Sequence, residues 1–294
     1  MPELGIYAGS YLGSSPQPCG TRFRYITENQ ENQENQPKKR TAKQASAFYF
    51  TQIFKMQAIP KQLNHCISQK LAYGILVEQF HKGRDLMTTS ISVADARRAD
   101  AHTIQDVGIP SLVLMERAAL GATNRLLTGD YDLTNVLIFA GTGNNGGDGI
   151  AIARLLHVRG VKVTVMLTGD RSKASTETTQ QLKIIDYYKI PVIPADINLG
   201  DYTTIVDAIF GVGLDRPVEG KFATWINAIN GSNAKVFSVD VPSGLNADTG
   251  EPQGATVKAN ATSSFAYSKK CFDTASGKQY TGTLFVEDIG VYLE

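Results

Sequence analysis

Three short segments bring together residue types that can do chemistry. The first is Gly141-Thr142-Gly143-Asn144-Asn145-Gly146-Gly147-Asp148-Gly149. Its glycines allow a sharp turn and a close approach of ligand to backbone. A helix opening behind such a loop presents unpaired N–H groups and a partial positive charge, a setting suited to phosphate. Gly141, Gly143 and Gly146 satisfy G-x-G-x-x-G, and Asp170 follows at about the distance a dinucleotide-binding fold requires. That spacing is weakly specific, and a glycine-rich turn with no ligand satisfies it too. Asn144, Asn145 and Asp148 add side-chain donors and acceptors that a plain pyrophosphate turn does not need.

The second segment is Asp207-Ala208-Ile209-Phe210-Gly211-Val212-Gly213-Leu214-Asp215-Arg216-Pro217. Asp207 lies inside an apolar run, where a bare carboxylate would be costly without a partner. It either accepts backbone N–H bonds or helps hold a cation. The third segment is Asp240-Val241-Pro242-Ser243-Gly244-Leu245. An acid at the carboxyl end of a parallel strand is well placed for proton transfer. Delivering a proton near neutrality requires burial or a neighbouring acid to raise its pKa from ~3.9. Asp240 can alternatively serve only to hold the Pro-Ser-Gly turn. The four histidines (His65, His81, His102, His157) lie outside all three segments, so no Ser-His-Asp or Cys-His arrangement arises from sequence neighbours. Lys269 and Lys270 could meet phosphate, Lys173 reads as solvated surface, and Trp225 reads as core.

The elements around these segments alternate. Ser92 can cap a helix over Val93–Val107; Gly108 ends it and Pro110 opens the next. That second helix carries Leu112, Met115, Ala119, Ala122 and Leu126 as an apolar stripe. Strands are expected at Val136–Ala140, Val161–Leu167, Val192–Pro194, Thr204–Phe210, Val236–Val239, Thr262–Tyr267 and Thr283–Val286. Helices are expected at Ile150–Val158, Thr176–Tyr188 and Phe222–Ile229. Repeated βα units imply an α/β protein with a mostly parallel central sheet and helices on both faces, a three-layer αβα sandwich of Rossmann-like type. Ligands in such folds sit outside the carboxyl ends of the strands, where all three segments fall.

Composition narrows the class. The chain has 294 residues, with hydrophobic residues at 42%, which excludes wholesale disorder. A net charge of +1 argues against a general nucleic-acid binder, and no apolar run is long enough to span a membrane. Cys19, Cys66 and Cys271 are too few and scattered for a disulfide framework or a zinc site, so a reduced, cytoplasmic setting is expected. Residues 1–86 read differently, with Glu-Asn-Gln repeated from Glu28 to Gln36 ahead of Lys38-Lys39-Arg40. They form a low-complexity extension, separate from a domain over 87–294. A mitochondrial location follows if 1–86 is a transit segment.

Together, Gly143–Gly149, Val206-Asp207-Ala208 with Gly211-Val212-Gly213-Leu214, and Val239-Asp240-Val241-Pro242-Ser243-Gly244 resemble the NAD(P)H-hydrate epimerases, the YjeF N-terminal domain family. Gly108-Ile109-Pro110, Leu114–Ala118 and the segment from Val257 to Lys270 extend the resemblance over roughly residues 88–291. It implies catalysis at C6 of NADHX and NADPHX, the hydrated reduced nicotinamide cofactors, interconverting R and S epimers. A separate ATP- or ADP-dependent dehydratase would then repair the S form. The resemblance also implies a homodimer and one potassium ion per subunit, with ligands at Asn145, Asp207 and Ser243. Substrate contacts map to Asn144, Asn145, Gly146, Gly147 and Asp148, and to Gly211, Val212, Gly213, Leu214, Asp215, Arg216 and Pro217, with Asp240 as catalytic acid/base. Relatives that act as scaffold modules supply the alternative of a non-catalytic binding domain. Asn260 and Cys271 depart from the family pattern, away from the three segments.

Overall fold

The computed structural model describes residues 90–193 and 198–293. The expected extension over 1–86 and the strand residue Pro194 lie outside them. In chain order the strands are β1 (Ser90–Ile91), β2 (Val136–Ala140), β3 (Val163–Leu167), β4 (Val192–Ile193), β5 (Thr204–Ala208), β6 (Lys235–Val239), β7 (Ala261–Phe265), β8 (Ser268–Lys269) and β9 (Thr283–Glu287). The helices are α1 (Val93–Gln105), α2 (Ser111–Thr128), α3 (Asn144–His157), α4 (Thr176–Tyr187), α5 (Gly220–Gly231) and the single turn α6 (Lys278–Thr281).

Seven strands form one parallel sheet in the order β4-β3-β2-β5-β6-β7-β9. Its central strands are buried on both faces, as their unbroken apolar runs require. One face carries α2, α3 and α4, packed on Ile138, Val165 and Val206. The other carries α5, whose Ile226 and Ile229 meet Leu137, Phe139 and Ile205. The architecture is the three-layer αβα sandwich expected from the alternation of elements.

Chain order reverses between β2 and β5. From β2 the sheet grows one way through β3 and β4; from β5 it grows the other way through β6, β7 and β9. The loops leaving β2 and β5 therefore diverge and open a crevice at their carboxyl ends. A second sheet is only two residues long, with Ser90 opposite Ser268 and Ile91 opposite Lys269. It carries the start of α1 to the same end of the main sheet.

Several expectations are corrected. The helix expected from Ile150 starts at Asn144, so Asn144 to Asp148 form its first turns rather than a loop. Glycines read as loop residues because they are weak helix formers, but here tertiary packing decides. A Cβ on Gly146 would stand 1.9 Å from the Gly141 carbonyl oxygen, and one on Gly149 2.5 Å from Ala208 Cβ. These glycines let α3 press against the sheet and the turn before it. The strand expected to reach Phe210 stops at Ala208, and the one expected from Val161 begins at Val163. In α2, Leu114 takes the inward position, and Leu112 is 38% exposed.

Candidate active site

Asp207 sits at the buried end of β5, its backbone in register with Ser238 on β6. One carboxylate oxygen accepts from Ser238 Oγ and from the Ser243 amide, both at 2.9 Å. The other accepts from Ser243 Oγ at 2.5 Å. Ser243 Oγ in turn accepts from the Phe210 amide at 2.9 Å. Asp207 thus fastens the loop after β6 to the strand and loop of β5. Burial pushes its carboxyl up from the ordinary value, while the bonds from Ser243 and Ser238 pull it down.

Asp240 immediately follows β6. It has φ +65°, and the Val241 amide donates to the Val239 carbonyl across it at 2.9 Å. This is a γ-turn of the strained hand. Ala266, after the neighbouring strand β7, repeats it, with φ +63° and a Tyr267 amide to Phe265 carbonyl bond of 2.8 Å. The two tight turns bring Asp240 and Lys269 together. Lys269 Nζ lies 2.8 Å from Asp240 Oδ1, with the side chains only 4% and 13% exposed. The same ammonium donates to Ser264 Oγ at 2.9 Å and to the Phe265 carbonyl at 2.8 Å, so all three of its donors are used. The Val212 amide donates to the other Asp240 oxygen at 3.3 Å. Lys269 therefore meets a carboxylate, not the phosphate that its sequence position allowed.

Asp240 and Lys269 line one cavity of about 610 Å³, within the usual range for small-molecule sites, while Asp207 and Ser243 lie outside its lining. All three segments contribute to its walls: Asn144, Asn145 and Asp148 from α3; Gly211 through Arg216 from the loop after β5; and Asp240. Gly146, Gly147 and Pro217 lie outside the lining, the two glycines buried within α3. A Cβ on Gly211 would come within 2.9 Å of Asp240 Oδ2 and 3.2 Å of Asn145 Cγ, so this glycine lets the three segments close on one another. Asn145 has both side-chain polar atoms buried without a hydrogen-bond partner. A buried amide in that condition fits a cation-binding role for its oxygen. The Ser243 hydroxyl and the Asp207 carboxylate, bound to the same loop, are further hard oxygen donors.

Of the acids that share the cavity wall with Asp240, two have raised carboxyls. Asp148, from the first turns of α3, is pushed well above the usual carboxylate range by burial and then by the charges of Asp240 and Asp100. Asp100, from α1, is pushed up to about 6 by desolvation and then by Asp240, against the pull of Lys269. Asp100 went unread in the sequence because a polar residue on an amphipathic helix looks like part of a solvated face. Other singled-out residues have ordinary roles. Asp170 caps the short turn Arg171–Lys173. His157 meets the Tyr188 ring edge-on, and Trp225 packs edge-on against Phe222. Asn260, one of the two departures, accepts from the Val236 amide at 2.7 Å, and Cys271, the other, is fully buried.

Fold and site together define a Rossmann-like α/β protein with an acid-rich cavity at the sheet's switch point. The family model for the YjeF-related protein N-terminus matches residues 111–271, and the chain belongs to this family. The NAD(P)H-hydrate epimerase of Levilactobacillus brevis is 55% identical over 209 residues, covering 71% of this chain and 97% of the relative. That of Lentilactobacillus buchneri is 48% identical over 207 residues, 70% of this chain and 96% of the relative. The crystal structure of the yeast protein YNL200c superposes with a TM-score of 0.59 at 26% identity, covering 67% of this chain and 88% of that one.

Proposed function

We propose that this protein is an isomerase that epimerises NADHX and NADPHX at C6, converting the R to the S form. The observation that carries the reading is Asp240, held by a strained turn and a buried lysine at the wall of a cavity built from all three segments. The identity to relatives named for this activity supports it.

The substrate's reacting carbon bears a hydroxyl and adjoins the ring nitrogen. Protonation of the hydroxyl and loss of water leave a planar iminium ion, stabilised by nitrogen. Water adding to the opposite face inverts the centre. Asp240 is the acid/base group at the reacting ring, a role that contributes roughly 10²–10⁴-fold. The carboxylates around it favour the cationic intermediate. The start of α3, Asn144 to Asp148, and the loop from Gly211 to Pro217 hold the substrate, with the α3 backbone amides at its phosphates. Asn145, Asp207 and Ser243 are the residues that would hold a potassium ion, which when bound supplies a fixed positive charge beside the substrate.

The S product passes to a separate ATP- or ADP-dependent dehydratase, in the cytoplasm or wherever residues 1–86 direct the chain. A homodimer fits the seven-residue spacing of Val113, Leu120 and Leu127, which α2 leaves exposed. The test uses mixed R/S NADHX, an S-specific dehydratase and its nucleotide. Adding this protein in potassium buffer accelerates the slow phase that reports R-to-S conversion. The Asp240→Ala protein loses about 10²–10⁴-fold of that acceleration. A folded wild type that leaves the slow phase at its spontaneous rate would point instead to a non-catalytic binding module.

A further inference from the structure

We infer that Asp100 is a second catalytic residue, the proton donor to the departing hydroxyl, while Asp240 acts as the base. This rests on the epimerase reading and divides between two residues the work assigned there to one.

Asp240 is fixed in the cavity wall, 2.8 Å from a lysine whose other two donors are also engaged. Inversion at C6 also needs an acid on the leaving group. Asp100 lines the same cavity from a different element, α1, where it is exposed to solvent. Asp240 after β6, Asp148 on α3 and Lys269 on β8 act on it electrostatically, and Glu177, Asp215 and Arg216 line the same cavity. Arg97 lies one turn earlier on its own helix. Asp100 is placed there by two anchors of α1. The β1–β8 ladder sets Ile91 against Lys269, and at the other end Thr103 Oγ1 accepts from the Tyr292 amide at 3.0 Å. Desolvation and then the charge of Asp240 push the Asp100 carboxyl up to about 6, a range in which a group can give up a proton near neutrality.

The step balances. The Asp100 carboxyl gives its proton to the C6 hydroxyl oxygen as the C6–O bond breaks. The nitrogen lone pair forms the C=N bond, and water leaves. A water on the opposite face forms the new C6–O bond, the C=N pair returns to nitrogen, and the proton released goes to Asp240. Asp100 then carries the negative charge and Asp240 the proton. That pairing serves the reverse direction, and exchange with solvent restores the starting state.

The test compares wild type with Asp100→Asn in the coupled assay across pH 5–8. In wild type, turnover falls tenfold per pH unit above about 6, as Asp100 loses its proton. In Asp100→Asn, kcat drops by about 10²–10⁴-fold, KM stays within a few-fold, and the limb near pH 6 disappears. Asp100→Glu recovers part of kcat and restores an alkaline limb. A second readout needs no activity. A carboxyl whose folded pKa is raised binds its proton more tightly in the native state, so its contribution is most favourable at low pH and is lost as pH rises from about 4 to about 6. The melting temperature of Asp100→Asn relative to wild type therefore climbs over that window and is flat above it. An active wild type matched by Asp100→Asn in rate and pH profile overturns the assignment. A folded wild type with no activity at any pH overturns the epimerase reading and this role together.

Discussion

At the scale of single residues, the site depends on which polar groups have partners. Asp207 could be recognised in the sequence as a buried acid needing compensation, and both options raised for it use the same oxygens. The structure supplies the first: Ser238 and Ser243 donate to the carboxylate. The second is a proposal, and Asn145 is where it is tested, because its side-chain amide is buried without a partner. In wild type, replacing choline chloride by potassium chloride raises the melting temperature. At a hundredfold excess over Kd the gain is about 2.7 kcal/mol. The Asn145→Ala protein shows little of that gain by differential scanning fluorimetry. What sequence spacing could not reveal is the Asp240–Lys269 pair. The two residues are far apart in the chain and meet only because tight turns after β6 and β7 aim them at each other.

At the scale of elements, the strands were easy to read and the start of α3 was not. Runs such as Val136–Ala140 have one explanation, burial on both faces of a sheet. The glycine-rich segment had two, because loop and tightly packed helix both demand residues without a Cβ. The structure places Gly146 and Gly147 inside α3, with close approach as the reason. Replacing Gly146 by Ala would drive a Cβ into the Gly141 carbonyl. The expected cost is about 1–3 kcal/mol, read as a lower urea midpoint with unchanged m. Helix propensity alone predicts a gain of about 1 kcal/mol from the same change, so even the sign separates the two explanations. The β1–β8 ladder was beyond sequence analysis. Two residues carry too little pattern to register, yet they bring α1 and Asp100 to the cavity.

At the scale of the whole molecule, the question is how much of the chain the fold requires. The Levilactobacillus brevis protein aligns over 97% of its own length with 71% of this chain. The boundary proposed at Met87 is tested by truncation. A chain beginning at Met87 is expected to keep the melting temperature of the full-length protein to within a few degrees and its epimerisation rate to within about twofold. Circular dichroism and the coupled assay check both. A large loss of stability would instead assign residues 1–86 a packing role. No described helix is long and apolar enough to cross a membrane.

The turn at Asp240 bears on how such a protein can change over generations. At φ +65° any residue with a side chain is disfavoured, and glycine is the least costly occupant. Glycine there would relieve the turn but leave the buried Lys269 ammonium without its counter-charge, so backbone comfort and the ion pair pull in opposite directions. That Asp stands at this position means the fold holds a less comfortable residue where the chemistry is proposed, a local trade of robustness for activity. A domain of this family that has lost its chemistry is freed from that constraint only when the residue matching Lys269 changes with it. The residues at this turn and at its lysine partner are then to be read as a pair, since neither can change alone without a cost to the fold.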